Sequence, residues 1–494
     1  SSYKTSRDKN LKYNIQGELH DMKKLIQIFL VFILLISLPL TTKAHVLEQA
    51  VTKNLGKANT SVSLRSLTTG NILYEHNGHT LMKPASTLKL LTGSAALHVL
   101  GKDYTFTTDL YIDGIITNGT LHGDVYIKGG GDPTLQQQDF LIFATVLKRH
   151  GIRKVEGHLY GDDSAFSGQV LTPGIAKQDE TEYYAARISA LTMSPNADYD
   201  AGTVIVQVTG NTAKKAPSFT VLPNTSGMKF VNQAKTVAKT GKNTLTVKRQ
   251  YGSNTVVLTG NIPQGSTVKK WVTLQDPTIN TLHAIKNTWQ SAALNVAQVS
   301  VGRKMVPTTA QKLYTKESLP LHKLYPVFMK LSNNSIADIL VKTLGREVHG
   351  VGNTENGVAV LRDYASSLGL NISQWRFEDG SGMSHANRVS ANELTALLTT
   401  MQQQPIYSSF YQGLPIGGQP NRLVGGSLRT RFDTNGLRGR VMAKTGSITN
   451  VYTLSGYVTA KSGRQYAFAI MTDKKNAQAM KQIDRLVETI VQNY

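Results

Sequence analysis

The stretch Pro84-Ala85-Ser86-Thr87-Leu88-Lys89-Leu90-Leu91 opens an apolar, helix-patterned run, and the reading of the fold starts from it. The spacing predicts a helix over 81–101. Pro84 suits a first helical position, Leu88, Leu91 and Ala95 share a face, and Gly101 suits the C-terminal stop. Ser86 and Lys89 are three residues apart, so a helix turns them to the same side. A serine hydroxyl is a weak nucleophile and needs an adjacent base. A lysine serves as that base only when desolvation or a neighbouring cation lowers its pKa. A helix N-terminus also favours negative charge building on Ser86 and on a substrate oxygen.

Two further pieces lie far downstream in the matching order. Ser332-Asn333-Asn334 precedes a helical pattern, Ile336, Ile339, Leu340, Leu344, that Gly345 is expected to close. Lys444-Thr445-Gly446-Ser447 follows the apolar Val441-Met442-Ala443 and reads as the first of two paired strands, the second carrying Val451, Leu454 and Tyr457. S-x-x-K, S-x-N and K-T-G in that order compose a site that attacks carbonyls with a lysine-activated serine. The catalytic candidates are therefore Ser86, Lys89, Ser332, Asn334 and Lys444, with Lys444 the expected neighbouring cation for Lys89. Ser332 and Asn334 can pass a proton and hold a peptide amide. Lys444, Thr445 and Ser447 can bind a carboxylate, and Gly446 lets a substrate backbone come close to the strand. Single motifs are weak signals. Ser226-Gly227-Met228-Lys229, Ser194-Pro195-Asn196 and Lys239-Thr240-Gly241 match the same patterns, and each fails on its local context or chain order.

The chain resembles the class C low-molecular-mass penicillin-binding proteins, the D-alanyl-D-alanine carboxypeptidase/endopeptidase family, over about residues 45–494. The trio carries the resemblance, with Gly129-Gly130-Gly131-Asp132-Pro133-Thr134-Leu135, the run Tyr183 to Leu191, and Asp379-Gly380-Ser381-Gly382-Met383-Ser384. The long gap between Lys89 and Ser332 fits that family, whose catalytic domain carries a large insertion there. The resemblance implies an oxyanion hole from the N–H groups of Ser86 and Ser447, and a side-chain specificity pocket in which Asp179, with Tyr184 nearby, meets an ammonium. Ser381 and His385 are further substrate-binding candidates from the same resemblance. Departures are His385 where the family often has arginine, Asp338 where it often has glutamate after S-N-N, and no tryptophan beside Asp179-Glu180.

The expected fold class is α/β and multi-domain. It comprises a penicillin-binding/β-lactamase-like catalytic domain, an antiparallel sheet flanked by helices, from 45–103 plus 305–494. An inserted α+β domain spans 104–203 plus 265–304 and itself carries a small all-β domain, 204–264. Apolar alternation over 104–127 with Asn118-Gly119 between reads as a hairpin. The run 140–150 reads as a helix and 155–160 as a strand. Strands are expected at 204–208, 219–222, 244–247 and 255–259, and again at 466–471. Met480, Ile483, Leu486, Val487, Ile490 and Val491 have the spacing of a C-terminal amphipathic helix.

The 494 residues carry a net charge of +22 and no cysteine, which excludes disulfides and thiolate chemistry. Met22-Lys23-Lys24, an apolar stretch over 25–40 and Thr42-Lys43-Ala44 read as a secretory signal, with an uncleaved anchor as the alternative. Residues 1–21 are given no role. Residues 1–44 hold seven basic and three acidic residues, so the remainder stays near +18. An extracytoplasmic protein at the wall or outer membrane face excludes nucleic acid as partner. Residues 211–270 contain ten Lys or Arg and no acid. They form either a solvated face or a patch for anionic wall polymers or the membrane surface. No metal-ligand spacing or phosphate loop occurs, and no cofactor is expected. The expected activity is a serine D-Ala-D-Ala carboxypeptidase acting on peptidoglycan stem peptides and acylated by β-lactams. The alternatives are DD-endopeptidase, a β-lactamase or esterase on the same catalytic domain, and a non-enzymatic wall-binding protein.

Overall fold

The computed structural model describes residues 20, 22–27, 42–474 and 478–494, so most of the apolar stretch 25–40 lies outside the described residues. A five-stranded antiparallel sheet forms the frame of the site. Its order is Val441–Ile448, Val451–Thr459, Gln465–Thr472, Thr60–Ser66, Ile72–His76. Alternate side chains of one strand enter two different cores. Tyr466, Phe468 and Ile470 face helix 42–54 and the C-terminal helix Ala479–Asn493, whereas Ala467, Ala469 and Met471 face the large helical layer. With helices on both faces, the strand reads as a continuous apolar run rather than an alternating one.

The helical layer contains Lys89–Leu100, Leu321–Lys330, Asn334–His349, Thr354–Ser367 and Ala391–Met401. The first begins later than its sequence pattern implies. Met82 exchanges main-chain hydrogen bonds with Val389 at 2.9 and 3.0 Å, which makes it extended. Ala85 then takes the left-handed φ of 48°, and a 3-10 turn, Ala85–Leu88, leads into the helix. Pro84 caps that turn instead of occupying a first α-helical position. The expected closing residue Gly345 is inside the Asn334–His349 helix, and Gly350, with φ 73°, ends it. Gly345 has another use: a Cβ there would stand 2.8 Å from Gly357 N and from Val351 O, so it permits close helix approach.

Between the first and second motifs the chain builds a six-stranded mixed sheet. It pairs the hairpin Thr107–Thr117/Thr120–Gly129 with Gln311–Glu317 on one side and His158–Asp162 and Ser300–Arg303 on the other. Asn118 and Gly119 both have positive φ, 49° and 81°, as a two-residue hairpin turn requires. The expected strand 155–160 is broken at Gly157 into Lys154–Glu156 and His158–Asp162. Beyond this lie the three-stranded sheets Thr267–Thr273/Thr203–Thr209/Ser218–Leu222 and Thr246–Arg249/Thr255–Thr259/Lys229–Asn232. Strand Thr267–Thr273 pairs along the whole of Thr203–Thr209, past the expected limit at 264, and Gln311–Glu317 pairs with the inserted hairpin, past the expected limit at 304. One apolar core runs through both inserted parts, from Leu110 and Phe140 to Val206, Val256 and Val272.

Candidate active site

The three motifs converge. Lys89, in the first turn of its helix, is fully buried, and its Nζ lies 2.8 Å from Ser86 Oγ. The same amine donates to Asn334 Oδ1 and to the Ser381 carbonyl, both at 2.6 Å. Burial pulls the Lys89 pKa down to about 7, against the opposing charges of Asp338 and Asp379. Desolvation is thus the largest cause favouring the neutral amine that a base requires. The expected cation, Lys444, is itself fully buried and is pushed well below the ordinary lysine range by burial and then by Lys89. Its Nζ donates to Ser332 Oγ at 2.7 Å and to the Thr445 carbonyl at 2.8 Å.

Local structure explains this convergence. Ser332 takes a left-handed φ of 57°, a conformation costly for serine that its surroundings must impose. Asn333 imposes it. Its Oδ1 accepts from Ile336 N at 2.9 Å as the helix N-cap, and its amide donates to the Asp198 and Tyr199 carbonyls at 2.9 Å. Gly446 serves the nucleophile's own turn. A Cβ there would collide with Thr453 Oγ1 and stand 2.9 Å from Pro84 O and Ser86 N, so the close approach is first to residues 84–86. Thr453, directly across the hairpin from Gly446, donates to Pro84 O at 2.8 Å.

A cavity of about 750 Å3 opens over this centre. Ser86, Ser332, Asn334, Thr445, Gly446, Ser447, Asp179 and Tyr184 all line it. Lys89, Lys444, Ser381 and His385 are not among its lining residues. Ser381 is fully buried and contributes its carbonyl to Lys89, while its hydroxyl donates to Asp379 Oδ2 at 3.4 Å. Lys444 is fully buried and donates to Ser332 Oγ, so it reaches the cavity through that hydroxyl. His385 is half-buried, and its Nε2 has no hydrogen-bond partner among the described residues. Burial, then Lys83, lowers its pKa, with Asp179 opposing. The Tyr184 hydroxyl donates to Asp179 Oδ1 at 3.0 Å, and the Tyr184 carbonyl accepts from Asn334 Nδ2 at 2.9 Å.

Ser427 and Thr453 carry no sequence motif. Ser427 Oγ lies 2.8 Å from Thr445 Oγ1, and both line the cavity. Thr453 was within reach of strand register alone, since it pairs with Gly446. Asp338 is buried, and its Oδ1 accepts from Gly380 N and Ser381 N at 3.0 and 3.1 Å, its Oδ2 from Thr172 at 2.8 Å. It therefore fixes the loop whose carbonyl holds Lys89. Among the described residues no group of three or more His, Asp or Glu is placed to hold a metal ion.

A model of the D-Ala-D-Ala carboxypeptidase 3 (S13) family matches residues 43–493. The D-alanyl-D-alanine carboxypeptidase of Actinomadura sp. (strain R39) is 34% identical over 416 residues, covering 83% of this chain and 77% of its own. The D-alanyl-D-alanine carboxypeptidase DacB of Haemophilus influenzae is 27% identical over 449 residues, covering 88% and 90%. The crystal structure of penicillin binding protein 4 from Haemophilus influenzae superposes with a TM-score of 0.77 at 22% identity, over 90% of this chain and 99% of that one. Fold and site define a serine peptidase of the penicillin-binding class, with a mixed α/β, multi-domain architecture. The chain belongs to the D-Ala-D-Ala carboxypeptidase 3 (S13) family, and so to the class C low-molecular-mass penicillin-binding proteins that its motifs resemble.

Proposed function

We propose that this protein removes the terminal D-alanine from peptidoglycan stem peptides outside the cytoplasm, through an acyl-enzyme on Ser86 that β-lactams also form. The contact of the Lys89 amine with Ser86 Oγ carries the reading. Two N–H groups of a neutral amine go to Asn334 Oδ1 and Ser381 O, which leaves its lone pair for the Ser86 proton. Ser86 Oγ adds to the carbonyl of the penultimate D-alanine as its proton passes to Lys89. The oxyanion is held by the N–H groups of Ser86 and Ser447. The C–N bond then breaks, and the proton held by Lys89 is relayed through Ser332, which is hydrogen-bonded to Lys444, to the departing amine. Water hydrolyses the ester by the reverse relay. The hydroxyls of Thr445, Ser447 and Ser427 suit the terminal carboxylate, and Asn334 the peptide amide. Asp179 suits a side-chain ammonium, because a partly desolvated cation needs a carboxylate. Mass spectrometry of purified wall peptides tests this: loss of one D-Ala supports it, and a split cross-linked dimer without that loss makes the protein a DD-endopeptidase instead.

A second role, docking on anionic wall polymers, is supported by the exposure of eight of the nine lysines in 211–270.

A further inference from the structure

Residues 176–186 pass the cavity as two short 3-10 turns, Lys177–Asp179 and Tyr183–Ala185, with no longer element of their own. Contacts from a different part of the chain hold them, and four are made by or beside the hairpin Thr246–Arg249/Thr255–Thr259. Arg249 Nη2 donates to Glu180 Oε1 at 2.9 Å. Lys248 Nζ donates to Glu182 Oε1 at 3.2 Å. Lys177 Nζ stands 5.0 Å over the Tyr251 ring, and Thr273 Oγ1 donates to the Thr181 carbonyl at 3.3 Å.

Arg249 is the exception in its segment. It is the one arginine of 211–270, and its side chain is 0% exposed against a Glu180 side chain at 4%. Its remaining N–H groups go to Thr273 Oγ1 at 3.2 Å, Gln275 Oε1 at 2.7 Å and the carbonyls of Gln250 and Ser253 at 3.2 and 3.0 Å. Arg187 Nη2 adds a second cation on Glu180 Oε1 at 3.0 Å. A buried ion pair is a weak source of net stability. What a planar, fully engaged guanidinium supplies is a fixed position for the carboxylate it grips. From Glu180 the connection to the pocket is short: Asp179 precedes it in the chain and accepts from the Tyr184 hydroxyl.

We propose that the inserted hairpin is a positioning clamp: Arg249, gripping Glu180, holds loop 176–186 so that Asp179 and Tyr184 meet the substrate's side-chain ammonium. The inference rests on the reading of Asp179 as that ammonium's partner. Arg249 is a positioning residue and touches no substrate. It also gives the β insertion a part in substrate choice, separate from any role of its exposed lysines.

The test combines hydrogen exchange of 176–186 with kinetics on a stem peptide bearing a free side-chain amine, its acetylated form, and benzylpenicillin. Arg249→Gln is expected to raise KM for the free-amine peptide at least ~10-fold and to speed exchange of the loop, with the acetylated peptide and penicillin acylation within ~2-fold of wild type, the mark of misplacement remote from the bond-breaking atoms. Lys248→Ala with Tyr251→Ala alters only exposed side chains and is expected to act in the same direction by ~3-fold. It decides the matter if Arg249→Gln fails to fold. Unchanged loop exchange and unchanged KM in the folded variants overturn the clamp. So does an equal loss on both peptides and on penicillin, which is what a merely structural residue would give. Asp179→Asn run beside them tests the parent reading: no change in discrimination there sinks the ammonium assignment, while loop exchange in the hairpin variants still decides whether the hairpin holds the loop.

Discussion

Lysines occupy two regions of this molecule in opposite physical states. In the catalytic centre Lys89 and Lys444 are fully buried, and their amines bond to hydroxyls, an amide oxygen and main-chain carbonyls. In the inserted β segment, Lys214, Lys215, Lys239 and Lys242 stand in solvent. Composition counts each as one positive charge, but their chemistry differs. Desolvation disfavours the ammonium, so burial drives both amines of the first region toward their neutral form, Lys89 with a pKa of about 7. The second keeps its charge and acts only through a field that salt screens. Arg249 crosses between the two: it lies in the exposed segment's sequence and in the buried regime's chemistry.

The largest expected effect is at the nucleophile. Ser86→Ala should remove the single covalent benzylpenicillin adduct seen by intact mass, with the fold retained; an adduct persisting on Ser226 would move the site to the other region and break the comparison. Next comes the base. Lys89→Arg keeps a cation that cannot deprotonate, and penicillin acylation should fall by at least ~10²-fold. Acylation near the wild-type rate would remove Lys89 from that role. The pH profile sharpens the same point. The reactive form is the neutral amine, and its pKa is about 7, so the acylation rate should be level above that pH. Below it, the rate should fall ~10-fold per pH unit as the amine protonates. A rate that keeps rising ~10-fold per pH unit well above pH 7 would mean that burial does not neutralise Lys89.

A smaller effect is expected at Gly446. The Cβ of Gly446→Ala meets Thr453 Oγ1, Pro84 O and Ser86 N, so the nucleophile's turn must shift. Acylation should drop ~10-fold, with KM for the peptide following; an unchanged acylation rate would show that the turn has room to spare. The smallest catalytic effect belongs to the exposed region. Changing Lys214, Lys215, Lys239 and Lys242 together to Glu should release the protein from isolated walls without slowing hydrolysis of a soluble peptide. Wall association that persists, or that is indifferent to salt in the wild type, leaves these lysines as a solvated face.

Short-range chemistry made much of this legible from residues alone. S-x-x-K, S-x-N and K-T-G name groups that physically meet, because each motif carries its own local frame: a turn entering a helix, a helix N-cap and a strand. The hairpin at Asn118-Gly119, the strands about Lys444 and the C-terminal helix rest on turn chemistry and periodicity, which are local. What the sequence could not disclose rests on partners distant along the chain. The helix after Ser86 starts late because Met82 pairs with Val389. Gly345 is a packing glycine because another helix crosses there. Ser381 acts through a carbonyl that Asp338 positions.

By itself, then, the sequence determined the reaction type, the candidate nucleophile Ser86 and candidate base Lys89, and the presence of a large insertion. Those follow from side-chain chemistry and local spacing. The tertiary structure alone decided which lysines are buried, and therefore that desolvation is what lowers the Lys89 pKa. It also decided that Lys444 stands behind Ser332, and that Arg249 faces Glu180 instead of water. Burial and ion pairing are sums over residues far apart in the chain, and no window of sequence contains them.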